Sequence, residues 1–194
     1  MKLDWPEGAT PIDADEAQGL IPALATQAEL NDFEASNIME GESWARRSRK
    51  VKASLLEQGT LRLLHKQMFG DTWYWAGKYR TTQKNIGCAA WQISTCMINL
   101  EGDVKTWLEQ GTYPPEEIAA RFHHRLVWIH PFVNGNGRFA RLATDLLCGR
   151  QSWRVPTWGS TNLVRQSQTR HDYVHALQMA DAGDFAPLKT FLYS

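Results

Sequence analysis

Two helical segments joined by a short linker of proline, glycine and asparagine constrain this chain more than any other feature. Pro114, Pro115, Glu116 and Glu117 form a helix start, with proline early and acids in the first turn. Ala119, Phe122, Leu126 and Ile129 then recur at spacings of 3, 4 and 3, the buried face of a helix ending near Ile129. Arg138 to Cys148 reads as a second helix, stopped by Gly149. Other segments repeat the period. Thr26 and Glu29 make a capping box before a helix over about 27–40, with Leu30, Phe33 and Asn37 on one face and a stop near Gly41. Further helices are expected over Trp44–Gln58, about 61–70 (Thr60 as cap; Leu61, Leu64, His65 and Met68 on one side), 95–110, 162–181 and 185–192 (Asp184 as cap). Residues 77–93 break the pattern: GKYRTTQKNIG mixes threonines and glycines beside Cys88 to Ile93, and predicts a short β-hairpin. The expected class is all-α with one small β-hairpin flap. Residues 1–59 would form an acidic leader and helix packed on a core of 60–194, one compact unit.

A chain of 194 residues can bury about 70% of its extended surface, enough for an apolar core. Its formal charge of zero excludes a strongly basic nucleic-acid binder, but the zero is a cancellation. Residues 1–42 hold ten acids and one base, and residues 121–170 hold eight arginines and one acid, Asp145. Either the halves neutralise each other or the arginines wait for an anion. Cys88, Cys96 and Cys148 are odd in number and far apart, against a disulfide framework. No signal-peptide pattern and no long apolar run is present, so a cytoplasmic protein without membrane contact is expected.

The linker His130-Pro-Phe-Val-Asn134-Gly135-Asn136-Gly137-Arg138 carries the chemistry. Glycines alternating with a polar residue before a helix start can turn successive N–H groups to one point, making an anion nest. Arg138 and Arg141, three apart, share one side of that helix. A phosphate chain is the ligand this arrangement fits, and neutral His130 could take a proton from an incoming hydroxyl. The sequence describes phosphoryl or nucleotidyl transfer, against the plainer alternative of a Gly/Asn turn with solvated arginines. It is neither a P-loop nor a dinucleotide fingerprint.

The run His130 to Arg141, HPFVNGNGRFAR, resembles the signature of the Fic (Fic/Doc) domain family, and Thr72 to Gly87 resembles its flap region. Within the family the chain looks most like the small proteins called mobile mystery protein B. The resemblance implies a helical domain that transfers AMP from ATP to a tyrosine, serine or threonine hydroxyl of a target protein. It implies His130 as general base, Gly135, Asn136 and Gly137 around the α- and β-phosphates, Arg138 assisting there, and Arg141 on the γ-phosphate. Lys78, Tyr79, Arg80, Thr81, Thr82, Gln83, Lys84, Asn85, Ile86 and Gly87 would hold an extended target segment. The family places a Mg²⁺-binding carboxylate where this chain has Asn134, a weaker neutral ligand, so Mg²⁺ or Mn²⁺ would be held mainly by the ATP phosphates. Ser36 to Gly41 matches the family's inhibitory pattern, implying that Glu40, between Ser36 and Gly41, represses transfer by pairing with Arg141.

Other features carry less. His171 and His175 are four apart, but Asp172 is too short for the zinc-protease pattern. His123 and His124 read as packing beside the motif, Arg46 to Lys52 as a solvated face, and Trp91 and Tyr79 as peptide flank or core. Three functions stay open: a self-inhibited AMP-transferring enzyme; the same fold with other phosphate chemistry, such as phosphotransfer or removal of AMP; and a catalytically weak nucleotide or protein binder, suggested by Asn134. Neither the oligomeric state nor the target is legible.

Overall fold

The computed structural model describes residues 13–160 and 168–194. Nine α-helices lie among them: α1 (Ala14–Ala17), α2 (Gln27–Arg47), α3 (Arg49–Ser54), α4 (Gln58–Phe69), α5 (Ile93–Gln110), α6 (Pro115–Ile129), α7 (Asn136–Arg150), α8 (Gln168–Asp181) and α9 (Ala186–Leu192). None is long and apolar enough to cross a membrane.

α6 and α7 lie at the centre because α6 is apolar on two sides. Phe122, Leu126 and Ile129 join a large core with α2, α4, α5 and α7. Ala119 and Ala120 face a smaller one built with Tyr173, Ala176, Leu188, Phe191 and Leu192 of α8 and α9. Leu30, Ala45 and Val51 belong to the large core, so α2 and α3 share their apolar contacts with α4 to α7. Cys148 is buried, and Cys88, Cys96 and Cys148 are all free thiols.

The capping box at Thr26 and Glu29 forms as the sequence indicates, but α2 does not stop at Gly41. A Cβ there would lie 2.6 Å from the Gln67 carbonyl. This glycine is where α2 crosses α4 backbone to backbone, not a helix end. α2 therefore runs to Arg47. The single helix expected over Trp44–Gln58 is divided by Ser48, whose side chain accepts from the Val51 N–H at 3.3 Å and starts α3. Thr60 caps nothing; it is buried inside α4 and its hydroxyl meets that of Ser54 at 3.0 Å. Gly111 ends α5 in the left-handed conformation (φ 60°). α7 starts two residues earlier than expected, at Asn136. The first part of the helix expected over 162–181 falls outside the described residues.

The β-hairpin flap is overturned: the described residues contain no β-strand, and their single isolated bridge joins Leu20 to Trp73. The physical reason is visible in the hydrogen bonds. Between residues 78 and 89 the backbone is tied to side chains and to distant loops instead of to itself. The Arg80 guanidinium takes the carbonyls of Thr82 (2.9 Å) and Cys88 (2.6 Å), and the Arg80 N–H donates to the Pro131 carbonyl (2.9 Å). A polar loop results, with most of its side chains exposed.

Candidate active site

The site is assembled where the end of α6, the linker 130–135 and the start of α7 meet α2, α4 and the 78–89 segment. His130 ends α6 in the left-handed region (φ 51°, ψ 59°), with its N–H on the Leu126 carbonyl at 3.1 Å. This turn reverses the chain so that the imidazole and the start of α7 share one side. His130 is buried, and burial, then the nearby Arg80 cation, push its pKa down to about 4, with Lys84 adding to the fall. The imidazole is neutral at physiological pH, the state a proton acceptor needs.

The linker is braced by its own side chains. The Asn136 amide is spent on Phe132: its Oδ1 accepts from the Phe132 N–H and its Nδ2 donates to the Phe132 carbonyl, both at 2.9 Å. Asn134 Oδ1 accepts from the Gly135 N–H at 2.6 Å and from Arg138 Nη2 at 3.2 Å. Gly135 has φ 78°, and a Cβ there would strike the Phe69 ring at 2.6 Å. Above Gly137 a Cβ would meet nothing within 4 Å, so the first turn of α7, whose N–H groups have no partner inside the helix, borders open space at that residue.

Two residues to which the sequence gives no role in bracing the linker support it. His65 of α4 accepts the Gly77 N–H at Nδ1 (3.0 Å), so its Nε2 carries the proton and donates to the Asn134 carbonyl (3.0 Å). It stacks on Phe132 at 3.7 Å, and burial pushes its pKa down to about 3. Arg80, expected only as one of ten flap residues, donates to the carbonyl of His130 at 2.7 Å. No local signal marks either role, because each partner is more than ten positions away.

The expected Glu40–Arg141 pair is not what the structure holds. The buried face of α2 is Leu30, Glu34, Asn37, Gly41 and Ala45, whereas Ser36 and Glu40 are exposed on other sides of the helix. Glu34 makes the contact instead, meeting Arg138 Nη1 at 2.6 Å while its other oxygen accepts from Trp73 Nε1 at 2.7 Å. Asn37 anchors this part of α2, its Oδ1 accepting from the Asp71 N–H and the Thr72 hydroxyl, both at 3.2 Å. The spacing of 4, 3, 4 and 4 through Leu30, Glu34, Asn37, Gly41 and Ala45 was the available signal for Glu34. Arg141 is half-buried. Burial lowers its pKa, Tyr173 opposes the fall and Arg138 adds to it.

In the flap segment Lys84 is held by Asp13 (2.7 Å) and Glu16, and the Thr82 hydroxyl donates to Glu16 at 3.0 Å. Tyr79 lies over Phe132 and under Arg62. Of the leader acids, Asp13 and Glu16 thus meet the flap lysine and Glu34 meets the motif arginine. His123 bonds the Tyr173 hydroxyl at 2.8 Å and His124 meets Asp181 at 2.8 Å, both packing contacts between α6 and α8. His171 is exposed beside Asp172, and Trp91 is exposed.

A divalent cation has little to bind here as the side chains stand. Among the described residues no group of three or more His, Cys, Asp or Glu side chains could hold a metal. The Asn134 amide oxygen already accepts two N–H groups, one of them from a guanidinium.

Comparison with known proteins shows what the chain is similar to. The model of the Fic/DOC family matches residues 55–148. "Protein adenylyltransferase fic-1" of Caenorhabditis briggsae is 32% identical over 120 residues, covering 60% of this chain and 22% of that protein. "Protein adenylyltransferase Fic" of Drosophila grimshawi is 29% identical over 151 residues, covering 73% of this chain and 30% of the relative. The chain thus spans under a third of the length of either relative. Among solved structures, Fic-1 (residues 134 to 508) from C. elegans superimposes with a TM-score of 0.60 at 27% identity, covering 91% of this chain and 51% of that one. BepC from Bartonella tribocorum, solved with bound AMPPNP, shares the fold at a TM-score of 0.70 and 18% identity, covering 93% and 96% of the two chains. Across residues 55–148 the chain carries a Fic/DOC-family domain.

Proposed function

We propose that the protein transfers AMP from ATP to a hydroxyl of a target protein, and that the Glu34–Arg138 pair holds it in a repressed state. The observation that carries this reading is the meeting of three parts at one place: neutral His130, the first turn of α7, and an arginine on that turn already occupied by a carboxylate. AMPPNP in the BepC structure supports a nucleoside triphosphate as the ligand class, and the curated relatives bear the name adenylyltransferase.

In the proposed reaction the target hydroxyl oxygen attacks the α-phosphorus, the bond to the β-phosphate oxygen breaks, and pyrophosphate leaves with that electron pair. The hydroxyl proton passes to His130. The N–H groups of Asn136, Gly137 and Arg138 point their dipoles at phosphate oxygens that gain charge, and Arg138 and Arg141 supply cations beside them. An imidazole with a pKa near 4 is a weak base alone. A bound triphosphate opposes the fields of Arg80 and Lys84 and raises its proton affinity at the moment of use. Target presentation is assigned to residues 78–87, as a loop and not a hairpin. A likeness to the small proteins called mobile mystery protein B is part of this reading.

Repression follows from charge. Arg138 neutralised by Glu34 offers less to a triphosphate, and the Glu34 carboxylate repels one. Trp73 and Arg138 occupy both carboxylate oxygens, which fixes its position. Labelled-ATP incorporation tests this: Glu34→Gly should raise AMP transfer at least about tenfold, the release of about 1.4 kcal/mol or more. Glu40→Gly should leave it unchanged. Equal incorporation by the wild type and Glu34→Gly, with ATP binding intact, would sink the repressive role. A phosphoryl in place of an adenylyl mass shift on the product would turn the reading to phosphotransfer.

A further inference from the structure

We propose that Arg80 is a positioning residue for His130, its guanidinium fixing the left-handed turn that presents the imidazole. This rests on His130 acting as the base in the proposed reaction.

The geometry is unusual for a buried cation. Arg80 is 2% exposed, yet all its guanidinium hydrogen bonds go to main-chain carbonyls and none to a carboxylate. Nε donates to the His130 carbonyl (2.7 Å) and Nη2 to Cys88 (2.6 Å) and Ile129 (3.4 Å). The backbone N–H of Arg80 takes the next carbonyl, Pro131, at 2.9 Å. One residue therefore grips three consecutive carbonyls, 129 to 131. The first two belong to the end of α6, where a helix has no internal donors left and a cation is favoured by its dipole. His130 occupies a left-handed backbone region that is strained for a non-glycine residue, so surrounding bonds must hold it there.

A second observation points the same way. Gly87 has φ 96°, and a Cβ at that position would lie 2.6 Å from His130 Cβ and 2.7 Å from Arg80 Nη2. The missing side chain at Gly87 thus leaves room for both the His130 side chain and the Arg80 guanidinium. Burying a cation without a carboxylate in contact is costly, and apolar packing would stabilise the loop more cheaply. The contacts converge instead on the one turn that carries His130.

The test uses the full chain with Glu34→Gly, so that the latch is absent. Arg80→Ala and Arg80→Lys are compared for the rate of AMP transfer at saturating ATP, for the Kd of a non-hydrolysable ATP analogue, and for the ¹³Cα and ¹³Cβ shifts of His130. Arg80→Ala should lower kcat on the order of 10²-fold, the cost of about an ångström of misplacement. It should change the analogue Kd by less than about twofold, and move the His130 shifts away from left-handed values while those of Leu126 stay. Arg80→Lys should recover part of the rate, as should guanidinium ion added to Arg80→Ala. An unchanged kcat overturns the proposal, and so does a parallel loss of kcat, nucleotide affinity and melting temperature without rescue. If Arg80→Ala does not fold, Arg80→Lys carries the same comparison. If Glu34→Gly shows no AMP transfer at all, the functional reading fails separately. Left-handed His130 shifts that survive in the Arg80 variants would then overturn the positioning role on their own.

Discussion

The linker from His130 to Gly137 finds its hydrogen bonds mostly within itself, whereas the segment from Lys78 to Ala89 finds them in distant parts of the chain. In the linker, Asn136 closes on Phe132, Asn134 on Gly135 and Arg138, and the His130 N–H on Leu126, all within four residues. In the flap segment, Arg80 reaches His130 and Lys84 reaches Asp13 and Glu16, separations of 50 to 71 residues in sequence apart from the local carbonyls of Thr82 and Cys88. Near neighbours brace most of the linker, with Arg80 and His65 holding its His130, Pro131 and Asn134 carbonyls from outside, whereas the flap segment is held only where the rest of the fold reaches it. A braced turn beside a segment whose shape depends on remote contacts suits the proposed reaction, in which the chemistry is fixed and the protein substrate varies.

The largest effect should come from the reactive turn. The proposed reaction makes His130 the general base, and removing such a base costs roughly 10²–10⁴-fold in rate, so on that proposal His130→Ala in the Glu34→Gly background should lose AMP transfer to that extent and keep nucleotide binding. Retained transfer would take the chemistry away from this turn. Next in size is His65→Leu, which leaves the buried Asn134 carbonyl and Gly77 N–H without their partner. A loss of about 2–4 kcal/mol in denaturant unfolding is expected.

His65 also has a pH signature. Its folded pKa is near 3 against an unfolded value of about 6.5, so above pH 6.5 both states are neutral and its contribution is complete. As pH falls from 6.5 to 3 the unfolded chain binds a proton that the folded state refuses, and stability drops by up to about 1.4 kcal/mol per pH unit. His123, also near 3, adds a second such slope. The acid limb of wild-type stability should be steep, and His65→Leu should reduce its slope by about one proton per unit. An equal slope in both would mean that His65 is accessible to protons in the folded state.

The same contrast explains what could be read without coordinates. The helix over 115–129 and the linker were legible because the apolar spacing of Ala119, Phe122, Leu126 and Ile129 and the glycines flanking Asn136 act through near neighbours. Gly41 misled because a glycine that lets two helices touch carries the same letter as one that ends a helix; the partner that decides between them, Gln67, is 26 positions away. The hairpin failed for a similar reason. Threonine and glycine content allowed a ladder, but a single guanidinium offered the carbonyls better partners. Glu34 was missed although its spacing was visible, because a carboxylate on a helix's buried face reads as an error until Trp73 and Arg138 are seen to meet it.

Asn136→Ala tests the internally braced loop at smaller scale. Losing both bonds to Phe132 should cost about 1–3 kcal/mol, with hydrogen exchange rising at Phe132 and Gly135 but not at residues 78–89. Exchange that rises equally in both loops would show that they move as one unit, and the contrast between them would fall.

The smallest effect should be Lys84→Ala. Its ammonium group is nearly buried between two carboxylates, yet Asp13 is 60% exposed at the side chain and the leader adds few apolar contacts. An ion pair with one solvated partner contributes about 0–1 kcal/mol and weakens with salt, so the global melting temperature should shift little. Local behaviour should differ. The leader helix α1 has no buried residue, so the contacts of Asp13 and Glu16, with the backbone bonds of Gly19 and Ile21 to the 72–74 turn, are what hold it. Hydrogen exchange in 13–18 and 80–88 should rise several-fold in Lys84→Ala and in the wild type at high salt, while His130 to Gly137 stay protected. Protection retained in 80–88 would mean that Arg80 alone fixes the segment. Simultaneous loss in the linker would mean that the leader, through the flap, governs the reactive turn as well.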